Sequence, residues 1–159
     1  MIFYVAGGTG GHLFPAIAIH QELQTDATFI VPRKRPAGEI LDKYDISPVI
    51  FPISKSSTFF FPILLLKTIK LVKKYRPKMI IIMGGSVCIP FAMIGWLFRI
   101  PTLAFEQNVI PGRAIRVCQF FANKVITSFE ATRKYIRLKN KVNCLGNPIR
   151  TDYPFTDSL

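Results

Sequence analysis

The sequence predicts a doubly wound α/β domain built on a parallel sheet. Two observations carry this. Short runs that are apolar throughout recur along the chain, and runs without polar alternation mark strands buried on both faces of a parallel sheet. Helix-length patterns separate them, so strand and helix alternate from one end to the other. A third observation locates a ligand crevice: two of the runs, FYVAGGTGG and IIIMGGS, lead straight into glycine loops.

In chain order, Ile2–Ala6 is the first expected strand, cut off by glycines, and Pro15–Gln24 the helix after it. Thr28–Val31 and Pro48–Phe51 follow as strands, with the helix Ala37–Tyr44 between them. Pro62–Tyr75 carries an apolar stripe with lysines interspersed, the pattern of a helix that buries one face. Met79–Phe98 contains no charge and is long enough to cross a bilayer on length alone. Gly84, Gly85 and Ser86 break its middle and Pro90 follows, so a strand Met79–Met83, a tight loop and a buried helix Pro90–Phe98 are expected instead. Strands Thr102–Phe105, Lys124–Thr127 and Lys141–Cys144 alternate with helices Gly112–Phe121 and Glu130–Arg137. Residues 1–150 make one domain on this reading, and 151–159 a tail or the start of a linker.

Composition narrows the function. The chain has 159 residues, enough for one domain with a core, and half of them are hydrophobic. Twenty-one Lys and Arg against nine Asp and Glu give a net charge of +12. Such a chain suits an anionic partner: nucleic acid, an anionic membrane surface or a phosphorylated substrate. The basic residues are spread through helices with no recognisable reading motif, so nucleic acid is not expected. Cys88, Cys118 and Cys144 form no CxxC pair and read as reduced thiols of a cytosolic protein. His12 and His20 have no HExxH spacing, so no metal site is expected. MIFYVAGG lacks a basic n-region, so no signal peptide is expected either.

The two glycine loops follow the first and fourth strands, which are neighbours at the switch point of the order 3-2-1-4-5. Open α/β sheets bind ligands there, beyond the carboxyl ends of the strands. Gly7, Gly8, Thr9, Gly10 and Gly11 let the backbone turn sharply and approach a ligand, and the helix start behind them suits a phosphate or diphosphate. The spacing is not GxGxxG and no P-loop lysine is present, which argues against a nucleoside triphosphate. A tight strand–helix turn with no ligand would use the same glycines. His12 lies at the crevice mouth, where a helix N-terminus favours the neutral imidazole that can accept a proton. Glu106, Gln107 and Asn108 end an apolar strand and enter the same crevice, fitted to sugar hydroxyls or to a second acid/base role. Arg150 could pair with phosphate. Ser57–Lys78 combines aromatics with lysines and reads either as an interfacial membrane segment or as a helix with a solvated basic edge.

GGTGGHLFPAIAI, MGGSVCIP, FEQNVIPGRAIR and GNPIRTD occur in the order and spacing of the amino-terminal half of the MurG family, which the chain resembles over nearly its whole length. That family transfers N-acetylglucosamine to the lipid-linked muramoyl-pentapeptide precursor of peptidoglycan. The resemblance implies the Rossmann-like, amino-terminal half of a GT-B type glycosyltransferase. It further implies an acceptor diphosphate held by Gly7–Gly11 and by Gly84, Gly85 and Ser86, with His12 as general base. Glu106, Gln107 and Asn108 would line the acceptor site, leaving His12 and Glu106 both open as the base. Arg150 would lie near the donor diphosphate. Phe59, Phe60, Phe61, Leu64, Leu65, Lys67, Lys70, Lys73 and Lys74 would dock on an anionic membrane, at the cytoplasmic face of a bacterial cell. The implied partners are a polyprenyl-diphosphate-linked sugar acceptor and UDP-N-acetylglucosamine. The latter would be bound by a donor domain that this chain does not contain. The implied chemistry is an inverting displacement with no cofactor or metal, inactive in the isolated domain. A non-catalytic, membrane-docked module binding polyprenyl diphosphate sugars is the alternative. The chain departs from the family at Ser86, Phe105 and Ile115, where Tyr, His and Asn are common.

Overall fold

The computed structural model describes residues 1–33, 35–53 and 61–149. Seven parallel strands form one sheet: β1 Ile2–Val5, β2 Ala27–Pro32, β3 Val49–Phe51, β4 Met79–Ile82, β5 Thr102–Glu106, β6 Lys124–Thr127 and β7 Val142–Cys144. Their order is β3-β2-β1-β4-β5-β6-β7. The chain builds outward from β1 in one direction, returns to its other side at β4, and builds outward again. In register, Val5 of β1 stands between Ile30 of β2 and Ile82 of β4.

Because strand side chains alternate between faces, β1 feeds two separate cores. Phe3 and Val5 point to a layer formed by α3 (Phe61–Tyr75), α4 (Cys88–Leu97) and α5 (Arg113–Cys118), with Leu64, Val72, Phe91, Ile94, Ile115 and Cys118 buried there. Tyr4 and Ala6 point to the opposite layer, α1 (Gly10–Leu23) and α2 (Arg35–Asp42), against Leu13, Ala16, Ile17, Ala37 and Leu41. This is the three-layer arrangement that runs apolar on both faces require. Phe91 centres the larger layer, its ring edge-on to Phe51 at 5.1 Å and to Phe3 at 6.3 Å.

The uncharged stretch Met79–Phe98 divides into β4, a loop through Val87, and α4. No described helix is long and apolar enough to cross a membrane. Three helix expectations are corrected. α1 begins at Gly10, not Pro15, so two loop glycines and His12 belong to its first turn. The helix expected over Gly112–Phe121 is regular α-helix over Arg113–Cys118, and the turn after it is held from outside. The Lys141 ammonium donates to the carbonyl of Ala122 at 2.8 Å, and the buried Gln119 amide donates to the carbonyl of Arg116 and accepts from the Arg137 N–H. The helix expected over Glu130–Arg137 is a 3-10 helix over Glu130–Tyr135, pinned to the β5–α5 loop by Thr132 donating to the Asn108 carbonyl at 3.0 Å.

Replacing Phe91 by Ala removes the ring that joins β1, β3 and α4. The expected loss is about 3–5 kcal/mol of unfolding free energy, read from urea denaturation at unchanged m-value.

Candidate active site

The carboxyl ends of β1 and β4 meet directly. Gly7 N–H donates to the Gly84 carbonyl at 2.7 Å, and Met83 N–H to the Val5 carbonyl at 2.9 Å. The buried Cys88 thiol lies 3.2 Å from the carbonyl of Val5 and 3.0 Å from that of Gly84, so its proton bridges the two strand tips. Burial pushes this thiol well above its ordinary pKa, and that of Cys118 up to about 12, so both stay protonated and inert.

The glycines here make room for a ring. A Cβ on Gly7 would fall 2.7 Å from His12 Nδ1, and one on Gly84 would fall 2.6 Å from His12 Nε2. Gly84 and Gly85 have φ of +109° and +88°, conformations that side chains disfavour, and a Cβ on Gly85 would lie 2.8 Å from the Gly7 Cα. The imidazole of His12 is therefore seated between the two loops, half-buried, with Thr9 Oγ1 3.1 Å from Nδ1.

A crevice of about 390 Å³ opens beside it. His12, Gly84, Gly85 and Ser86 form one wall; Glu106, Gln107, Asn108 and the start of α5 form the other. Sequence reasoning named His12, Gly84, Gly85, Ser86, Glu106, Gln107 and Asn108, and no residue at the start of α5, as site residues. Arg113, which stands inside the FEQNVIPGRAIR stretch, also lines the crevice. The remaining glycines divide differently. Gly7 and Gly8 are buried at the strand end, while Gly10 and Gly11 border a second groove with Phe14, Pro15, Asn147, Pro148 and Ile149. Gly10 and Gly11 open α1, and the N–H groups of a helix's first turn have no intrahelical acceptor. Arg150, next in the chain, lies outside the described residues.

Glu106 is 3 % exposed, and its carboxylate is occupied by backbone and amide donors. Oε1 accepts from the N–H and the side-chain Nδ2 of Asn108, both at 2.9 Å, and Oε2 accepts from the Gly112 N–H at 2.8 Å. Gly112 is the N-cap of α5, so one buried carboxylate shapes the whole turn from β5 into α5. The Gln107 Nε2 and Thr127 Oγ1 atoms are buried near this turn with no partner among the described residues. Also among the described residues, no three His, Cys, Asp or Glu side chains gather as a metal site.

His20 lies away from the crevice, edge-on to Tyr4 and Phe29, with its pKa lowered by burial. The proposed membrane patch needs a correction. Leu64 is buried with Thr68 and Val72 on the core-facing stripe of α3, and Phe61 and Leu65 pack partly against that core. Lys67, Lys70, Lys73 and Lys74 are exposed, as are Ile63 and Leu66. Phe59 and Phe60 lie outside the described residues. Trp96, Leu97 and Phe98, at the end of the neighbouring α4, are exposed apolar residues, against the buried helix expected over Pro90–Phe98.

An open parallel sheet with its crevice at the β1/β4 switch point, lined by glycine turns, a histidine and an amide-bearing loop, has the Rossmann-like architecture of the amino-terminal half of the GT-B fold. The chain belongs to glycosyltransferase family 28, whose N-terminal domain matches residues 2–127. The UDP-N-acetylglucosamine–N-acetylmuramyl-(pentapeptide) pyrophosphoryl-undecaprenol N-acetylglucosamine transferase of Borrelia garinii subsp. bavariensis is 32% identical over 96% of this chain and 46% of its own length. The transferase of the same name from Alkaliphilus oremlandii is 34% identical over 92% and 44%. The crystal structure of Acinetobacter baumannii MurG superposes with a TM-score of 0.81 at 20% identity, over 92% of this chain and 45% of that one, a likeness of fold. The chain thus spans just under half the length of the curated relatives it matches and corresponds to their amino-terminal half.

Glu106→Gln replaces one acceptor oxygen with an NH₂ group and leaves a buried N–H without its partner. The expected cost is about 1–3 kcal/mol in stability, with the amide of Asn108 or Gly112 losing hydrogen-exchange protection.

Proposed function

We propose that this chain is the acceptor-binding half of an N-acetylglucosaminyltransferase that glycosylates a polyprenyl-diphosphate-linked muramoyl-pentapeptide in peptidoglycan synthesis. The observation that carries the reading is the seating of His12 between Gly7 and Gly84, at the wall of a crevice whose other wall is ordered by Glu106. In this reading His12 is the general base. It takes the proton from the acceptor hydroxyl as that oxygen attacks the anomeric carbon and the nucleoside diphosphate leaves, with inversion and without a metal. Glu106 is a poor candidate for the base, because both of its oxygens already accept, from three donors in all; it holds Asn108 and α5 in place. Gln107 and Asn108 meet sugar hydroxyls. The acceptor diphosphate is held by the Gly84–Ser86 turn together with Arg113, which line the same crevice. UDP-N-acetylglucosamine belongs to a second domain, as do the contacts proposed for Arg150.

Docking follows from the same chain. The exposed lysines of α3 beside Ile63, Leu66, Trp96, Leu97 and Phe98 make a basic, apolar surface suited to the cytoplasmic face of an anionic bacterial membrane.

Calorimetric titration with a short-chain lipid-linked muramoyl diphosphate, run in parallel with UDP-N-acetylglucosamine, tests the site. Binding of the acceptor and not the nucleotide is expected; nucleotide binding alone, or no binding, overturns the reading. With the donor half supplied, His12→Ala is expected to lower kcat by about 10²–10⁴-fold while acceptor binding persists. Binding without transfer in the complemented wild type would instead mark a non-catalytic module.

Trp96 is the single tryptophan, so its emission reports docking directly. A blue shift is expected with vesicles containing anionic phospholipid and not with neutral ones. Each of Lys70→Glu and Lys74→Glu should weaken this binding by about 1 kcal/mol or more.

A further inference from the structure

Thr9 occupies the N-cap of α1 with extended φ and ψ of −123° and 152°, the setting in which a threonine oxygen ordinarily accepts from an N–H of the first turn. Among the described residues Thr9 makes no such side-chain bond. Its carbonyl takes the N–H groups of His12 and Leu13, both at 3.1 Å, and its hydroxyl oxygen lies 3.1 Å from His12 Nδ1. The two edges of the imidazole have different surroundings. Nδ1 lies over Gly7, which is buried behind the loop and does not line the crevice; Nε2 lies over Gly84, which does. A neutral imidazole carries one proton, so Nε2 can accept a proton from a crevice ligand when Nδ1 holds the ring's own.

From this geometry we propose that Thr9 is a positioning residue for His12: its hydroxyl oxygen accepts the Nδ1 proton, fixes that tautomer, and leaves Nε2 as the basic nitrogen toward the crevice. Thr9 is exposed, so its own hydroxyl proton is free to turn to water. The threonine exchanges a helix-capping role for control of a ring, which explains an N-cap residue of the right type and conformation without the usual bond. The inference rests on reading His12 as the base of this site.

The chain has two histidines, so a long-range proton–nitrogen correlation spectrum of the ¹⁵N-labelled protein separates them, with His12→Ala giving the assignment. At a pH where both rings are neutral, His12 is expected to show a protonated-type Nδ1 shift and an unprotonated-type Nε2 shift. Thr9→Val is expected to move both shifts toward the Nε2–H form that free imidazole side chains prefer, and Thr9→Ser to restore the native pattern. The His20 signals, unchanged in each variant, report that the fold is intact. A wild-type His12 found as the Nε2–H tautomer overturns the proposal without any variant, and so does a native pattern persisting in folded Thr9→Val. No acceptor enters this experiment: a chain that shows the Nδ1–H tautomer yet binds no acceptor sinks the transferase reading and leaves the role of Thr9 standing.

Discussion

The hydrogen bond from Gly7 N–H to the Gly84 carbonyl, 2.7 Å long, joins the tips of two strands that lie far apart in the chain. Much of the site is built around it. It brings the loops after β1 and β4 so close that side chains between them are excluded, and the space that remains is filled by the imidazole of His12. The positive φ angles at Gly84 and Gly85 follow from the same approach, since the chain must turn away at once to start α4. Cys88 then spans the junction from below through the carbonyls of Val5 and Gly84. A thiol held protonated by burial suits this purpose, because it can donate where a thiolate could not. The glycines thus make room for a histidine.

Across the crevice a buried carboxylate does the corresponding work. Glu106 would be costly to bury unpaired, and the three N–H donors from Asn108 and Gly112 compensate for its desolvation. The result is a stiff turn that presents Gln107 and Asn108 to the same space as His12. Thr132 fastens the outer side of this turn through the Asn108 carbonyl, so the 3-10 helix after β6 also supports the site. One wall rests on backbone contact between glycines and the other on a satisfied charge, and both originate at the carboxyl edge of the sheet.

Charge is segregated as well. Glu22, Asp26, Glu39, Asp42 and Asp45 all fall between the end of α1 and the approach to β3. Over residues 61–149 the acids are Glu106, buried, and Glu130, 3.7 Å from Arg133. The layer of α3, α4 and α5 therefore carries the net positive charge, and the exposed Trp96, Leu97 and Phe98 lie in that layer. A surface both cationic and apolar lies on the face of the sheet opposite α1 and α2.

The order of strands and helices was legible in the sequence because the signals for it are local: apolar runs, glycine breaks and proline positions depend on neighbours in the chain. The switch point was legible for the same reason, since both of its strands end in glycine, and so was the set of residues from His12 to Asn108 that meet there. What the tertiary structure decided depends on groups distant in sequence. Gly10 and Gly11 joined α1 and a second groove because Gly7 is tied to Gly84 and the helix must start as soon as the chain clears that contact. Leu64 turned inward because the sheet covers one stripe of α3, and Trp96 outward because α4 outlasts its cover, distinctions that an all-apolar stretch cannot encode. Glu106 became an organiser of its own loop because the N–H groups of Asn108 and Gly112 fold back onto it. A sequence gives a carboxylate's position; which donors consume its lone pairs is fixed by the path of the chain around it.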